Sequence, residues 1–108
     1  MRVIVASAGA LDRRADAVRR YLQGHRDTID WLFSSDPQAD RAQAELAAVP
    51  ESAVRRARGE LITKESALPD RIAGLDALIA DAASFRLLAA PLTATQIETV
   101  LQLQAPIR

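Results

Sequence analysis

The residues able to do chemistry are few. His25 is the only histidine, and there is no cysteine. A transition-metal site would have no second imidazole and no thiolate to draw on. Cysteine nucleophiles and disulfide scaffolds are excluded outright. His25 falls just past an expected helix end, where an exposed helix-end residue is a better reading than a general base. Three carboxylate pairs stand out: Asp12 with Asp16, Asp36 with Asp40, and Asp76 with Asp81. The first two are spaced i, i+4 and share a helix face. Acid–base work or Mg²⁺ binding would need further ligands and a cleft. These pairs lie on polar faces beside arginines instead. Asp16–Arg20, Glu51–Arg55 and Glu60–Lys64 are in the acid-first i, i+4 order that steadies an exposed helix. Solvated, charge-laced faces are the favoured reading. The sequence contains no nucleophile-elbow, zinc-protease, P-loop or dinucleotide-binding motif. Ser7-Ala8-Gly9-Ala10 sits between an expected strand and an expected helix, which is the setting of a phosphate-binding turn. One glycine without the rest of that fingerprint reads better as a plain connection. The sequence therefore predicts no catalytic residue, no metal ligand and no cofactor.

The strongest local pattern is Gln43–Ala57. It places a small residue, Ala44, in a first helix and Leu46 two positions later. Val49 follows at the end of a turn, and Val54 lies in a second helix. This stretch resembles a helix-turn-helix unit, whose second helix carries groups that reach base edges or phosphates. The resemblance implies that Arg55, Arg56 and Arg58 would be the nucleic-acid contacts. It spans some fifteen residues and departs from the pattern at three. Gln43 stands where an apolar residue is usual. Ala48 stands where glycine is favoured for positive φ. Pro50 replaces the usual Ser or Thr cap. An ordinary antiparallel helix pair broken at Val49-Pro50 is preferred. Glu45, Glu51 and Glu60 offset the arginine cluster, so nucleic acid is not the favoured partner.

Composition narrows the class. Fourteen basic and fourteen acidic side chains give zero formal net charge, against a strongly basic nucleic-acid coat or an acidic tail. Hydrophobic residues at 49% and charged residues at 26% describe a globular chain. A length of 108 residues fits one domain, 1–108, able to sustain a core without metal or disulfide. Alanine supplies 22 residues and arginine 13, both good helix formers, against a single lysine. Four glycines and four aromatics argue against an all-β sandwich. The apolar run Val3–Leu11 is too short for a secretory signal. The next apolar stretch, Leu87–Leu92, is far short of the ~20 residues that cross a bilayer. A cytoplasmic protein with no membrane partner is expected.

These residues need elements to position them. Arg2–Ala6 is a β-branched run that predicts a short strand. Leu11, Ala15, Val18 and Leu22 fall at i, i+4, i+7 and i+11, predicting a helix over 10–23 closed by Gly24. Residues 28–33 are ambiguous. Their β-branched and aromatic content tips them toward a strand, although Ile29, Leu32 and Phe33 also fit a helix. Asp36 caps a helix beginning at Pro37 and running to about Ala48. A short helix follows over Glu51–Arg58, stopped by Gly59. Ser66 caps the next, whose stripe Leu68, Ile72, Leu75, Ile79 and Ala82 is the strongest in the chain, and Pro91 ends it. Two overlapping capping boxes, Thr93–Gln96 and Thr95–Glu98, start a last helix with Ile97, Val100, Leu101 and Leu103, ended by Pro106.

The expected fold is mainly α, with four to five helices and a short N-terminal β element. A strand–helix–strand start is one version of it, and the runner-up is α+β. The expected function is a non-enzymatic protein–protein interaction module. It would be a small subunit of a larger assembly, of which a phage or virion-type protein is one kind, or a protein that docks on and modulates a partner. Partner or homo-oligomer contacts are expected at Trp31, Phe33, Arg55 and Arg56. Trp and Arg are enriched where protein interfaces are energetically strong.

Overall fold

The computed structural model describes residues 4–70 and 72–101. They form six helical segments: α1 (Ala8–Leu32), α2 (Pro37–Ala47), α3 (Glu51–Glu60), α4 (Lys64–Ala67), α5 (Leu75–Ser84) and α6 (Ala94–Val100). The expected first strand lies partly outside the described residues. Its described part, from Ile4, carries no strand and is exposed. No strand occurs among the described residues, so neither the strand–helix–strand start nor the α+β reading stands. A strand needs a neighbour for its ladder, and the described residues supply none there.

α1 departs most from expectation. Ser7 caps it, its hydroxyl accepting the Ala10 N–H at 3.2 Å. The backbone kinks at Arg14 (φ −134°, ψ 31°) and then continues through Gly24 to Leu32. Gly24 therefore ends nothing, and residues 28–32 are helix rather than strand. Extending an existing helix adds one hydrogen bond per residue without a new nucleus. Side chains beyond the glycine reinforce it. Thr28 Oγ1 donates to the Gly24 carbonyl at 2.7 Å, and Gln23 Nε2 donates to Asp27 Oδ1 at 2.8 Å. Tertiary anchors hold the same turn. Buried Arg26 reaches Asp70 at 2.7 Å, and Lys64 reaches Asp30 at 2.8 Å. His25, expected at an exposed helix end, lies inside α1 and is half-buried, with Nε2 donating to the Ala67 carbonyl at 3.3 Å. These contacts bind α4 onto α1 and offset the ~1 kcal/mol cost of a mid-helix glycine.

α2 has the expected start, with Asp36 accepting the Gln38 N–H at 2.9 Å and Pro37 in the first turn. α3 passes through Gly59 instead of stopping at it. The long stripe from Leu68 to Ala82 does not form one helix. Thr63, not Ser66, caps α4, and that helix ends after Ala67. Leu68 is extended (φ −73°, ψ 144°) because the following Pro69 disfavours helical backbone before it. Helix resumes only after Gly74, which takes a positive φ of 73°. α5 then ends at Ser84, well before Pro91. Arg86 turns left-handed at φ 60°, and the Ala82 carbonyl accepts from Leu87 and Leu88 at 2.8 and 3.1 Å. α6 opens on the complete Thr93–Gln96 capping box, whereas the second box falls inside the helix. Leu103 and Pro106 lie outside the described residues.

Packing is uneven. α2 packs on α3, α1 on α2, and α1 on α4, while α5 and α6 pair with no other helix among the described residues. The buried apolar side chains are Leu22, Ala39, Ala44, Val54 and Ile79. The radius of gyration is 17.1 Å, against about 13 Å for a compact chain of this length.

Candidate functional site

The stretch Gln43–Ala57 folds as the end of α2, a turn and most of α3. Ala44 on α2 and Val54 on α3 are both buried where the two helices pack. Ala48 adopts φ 54°, ψ 45°, the left-handed conformation for which glycine is favoured. Its neighbour Val49 donates to the Ala44 carbonyl at 3.1 Å, which closes the turn. Leu46 does not join this core and is 91% exposed. Gln43, where an apolar residue is usual, encloses its Oε1 without a hydrogen-bond partner.

The arginines are committed within the chain. Arg55 reaches Asp40 at 3.1 Å and Glu51 at 3.4 Å. Arg58 also pairs with Asp40, and its side chain is only 12% exposed. Its guanidinium lies 6.0 Å from the Phe33 ring centroid. Arg56 pairs along the helix with Glu60 at 3.1 Å and is 77% exposed. Asp40 is therefore the hub of a cluster joining α2 to α3, with Phe33 at the end of α1 beneath it. Of the four expected partner contacts, Phe33 is half-buried under Arg58 and Arg55 is held at the hub. Arg56 faces solvent, and Trp31 is exposed but tied back to Asp36. Sequence reasoning missed Asp40 as a shared acceptor. Its spacing to Arg55 and Arg58 is that of no single helix, so only the turn brings them together. It also expected Glu60 to pair with Lys64, whereas Glu60 takes Arg56 and Lys64 takes Asp30.

Trp31 and Asp36 form a second small unit. The Trp31 indole N–H donates to Asp36 Oδ2 at 2.8 Å, and the Gln38 N–H donates to Oδ1. The indole bond first, and the backbone bond second, hold the Asp36 carboxyl below its ordinary value of 3.8. A value lowered by folding adds stability above the ordinary range that is lost as pH falls through the folded-state value. Trp31 is the only tryptophan, so its emission reports the event. Its emission is expected to titrate with a midpoint below 3.8, and Asp36→Asn is expected to abolish that titration. A midpoint at or above 3.8 would show that the indole bond does not persist in solution.

Concavities among the described residues include two near these elements. An open groove of about 560 Å³ runs along the α2–α3 turn and mixes Arg41, Glu45 and Glu51 with Ala48, Val49 and Pro50. A smaller one of about 250 Å³ lies at the start of α1 beside Ser7, Gly9, Arg13 and Arg14. Ser7-Ala8-Gly9-Ala10 thus begins a helix, but no strand precedes it. The pairs Asp12/Asp16 and Asp76/Asp81 stay on exposed faces, and Asp16 takes Arg20 at 2.9 Å. Among the described residues no three His, Asp or Glu side chains gather as a metal-binding group. No helix among them is long and apolar enough to cross a membrane. No protein-family model, no curated protein and no solved structure matches this chain.

Proposed function

We propose that this chain is a non-enzymatic protein–protein interaction module acting in the cytoplasm. It would be a small subunit of a larger assembly, or a protein that docks on and modulates a partner. One observation carries the reading: large apolar side chains stand exposed among the described residues. Leu46, Leu61, Phe85, Leu87 and Val100 are all exposed. Phe85 and Leu87 are close neighbours in the chain, and contiguous exposed apolar surface is what marks interaction sites. The test compares the particle size of the purified chain with that of the tagged chain in native extract, with cross-linking before lysis. A discrete assembly containing the chain is expected. The same monomeric size in both settings would overturn the proposal.

A second reading, a helix-turn-helix nucleic-acid binder, draws support from the left-handed Ala48 and the buried Ala44 and Val54. Against it, Arg55 and Arg58 already share Asp40 and Arg56 holds Glu60. Freeing them would break pairs inside the chain. Duplex binding is expected to be undetectable at about 150 mM salt, where non-specific phosphate contacts are weak. Micromolar binding that disappears in an Arg55→Ala/Arg56→Ala variant would reverse this ranking.

A further inference from the structure

We propose that the outer face of α2 is a weak homodimer interface, laid antiparallel on the same face of a second copy. The proposal rests on the interaction-module reading and names the partner. α2 turns Ala39 and Ala44 into the core and Asp40 toward the arginines of α3. Arg41, Ala42, Glu45 and Leu46 lie on the outer side, and all four are exposed. Leu46, at 91%, is the most exposed large apolar side chain among the described residues. Arg41 and Glu45 are spaced i, i+4 and form one edge of this face. Ala42 and Leu46, with the same spacing, form the other. Both charges are available to a partner. Arg41 precedes Glu45, the less favourable order for a pair along one helix. Arg41 meets Glu51 instead, at 3.9 Å, with its side chain 70% exposed, and Glu51 is shared with Arg55. Glu45 has no ion-pair partner among the described residues.

Charge complementarity favours a second copy as the occupant. A two-fold axis perpendicular to α2, passing between residues 43 and 44, inverts the helix direction and keeps each edge on its own side. Arg41 of each copy then meets Glu45 of the other. On the second edge, Leu46 of each copy meets Ala42 of the other, a large side chain on a small one. The axis falls at the middle of these four residues, so the face lies on itself, as a two-fold interface must. One operation therefore matches base to acid and apolar to apolar, and makes every contact twice. The formal net charge of zero adds no repulsion between copies. The patch covers less than two turns of one helix, so the association belongs to the weak, transient class of interfaces. At about 5 µM the chain is a monomer, because a weak dimer forms only as concentration rises.

The test is the mass of the full chain in solution, by sedimentation equilibrium from about 5 to about 500 µM, a span in which a dimer's population follows concentration. The average mass of the wild type is expected to rise from 11.7 kDa toward twice that value. Arg41→Glu and Glu45→Arg are each expected to weaken association by about tenfold or more, because each sets like charges together at both contacts. An equal mixture of these two variants is expected to associate again, since every charge then meets its opposite across a heterodimer. The double variant Arg41→Glu/Glu45→Arg is expected to dimerise by itself for the same reason, which decides the matter even if one single variant folds poorly. Leu46→Glu is expected to weaken the dimer, and Phe85→Glu, on α5, to leave it unchanged. All four positions are exposed, and circular dichroism checks that helix content is kept. A wild-type monomer at the highest concentration overturns the proposal. So does a dimer indifferent to the charge reversals, or a mixture and a double variant that associate no better than the single variants. A purified monomer that enters a larger hetero-assembly in native extract overturns this interface while leaving the interaction-module reading in place. A monomer in both settings removes both.

Discussion

Replacing Asp40 with alanine is expected to destabilise the protein by about 3–5 kcal/mol, the loss seen when one partner of a buried ion pair is removed. Asp40 accepts from Arg55 and from Arg58, and the Asp40 and Arg58 side chains are both largely shielded from water. Without the carboxylate, the Arg58 guanidinium keeps its charge, because arginine does not deprotonate in proteins. It must then stay poorly solvated over Phe33 or be expelled, which pulls α3 from α2 and the end of α1. Asp40→Asn keeps the shape and one acceptor oxygen and is expected to cost less. Arg56→Ala, at an exposed i, i+4 pair, is expected to change stability by at most about 0.5 kcal/mol. Urea unfolding of the three variants at one protein concentration checks the order. If Asp40→Ala unfolds with the Arg56→Ala midpoint, the cluster is not a structural hub.

A second large effect is expected from Leu22→Ala. Leu22 is 8% exposed and sits on the apolar stripe of α1. Truncating it removes buried methyl groups and leaves a cavity, a change that costs about 2–5 kcal/mol. At about 4–8 °C per kcal/mol for a chain of this size, the melting temperature falls by roughly 10 °C or more. Leu46→Ala is the contrast, since an exposed leucine changes stability by about 0.5 kcal/mol or less. Thermal melts at a single concentration read both. Equal melting temperatures for the two variants would mean that α1 is not anchored through this stripe.

These expectations show which parts of the molecule the amino-acid order carried. The Asp36–Pro37 start of α2 and the Thr93–Gln96 box of α6 were legible, whereas the left-handed turn at Ala48, placed at the end of a helix by the sequence, was not. Each of the two starts is set by side chains and backbone within a few residues of one another. The stripe Leu11, Ala15, Val18 and Leu22 was legible as a helix, although its far end was not. Gly24 reads locally as a stop, but Arg26–Asp70 and His25–Ala67 link residues more than forty positions apart and hold the helix through it. The stripe Leu68–Ala82 failed for the opposite reason. Its period was clear, but Pro69 and Gly74 broke the backbone, and spacing alone does not weigh a backbone break against a side-chain stripe.

The same division holds at the candidate surface. The sequence by itself determined that the chain is helical, that it has no thiol or second imidazole, and that arginines cluster at 55, 56 and 58. Those properties reside in residue types and in short spacings. Only the tertiary structure decided that Arg55 and Arg58 meet on Asp40, that Phe33 lies against Arg58, and that Leu46, Leu78 and Phe85 face water. Hydrophobic spacing shows that a helix has an apolar face but not which neighbour covers it. Charge spacing shows what can pair along one helix but not across a turn. Covering and pairing are set by residues far apart in the chain, brought together by the Val49-Pro50 turn and by the path of α1 past Gly24.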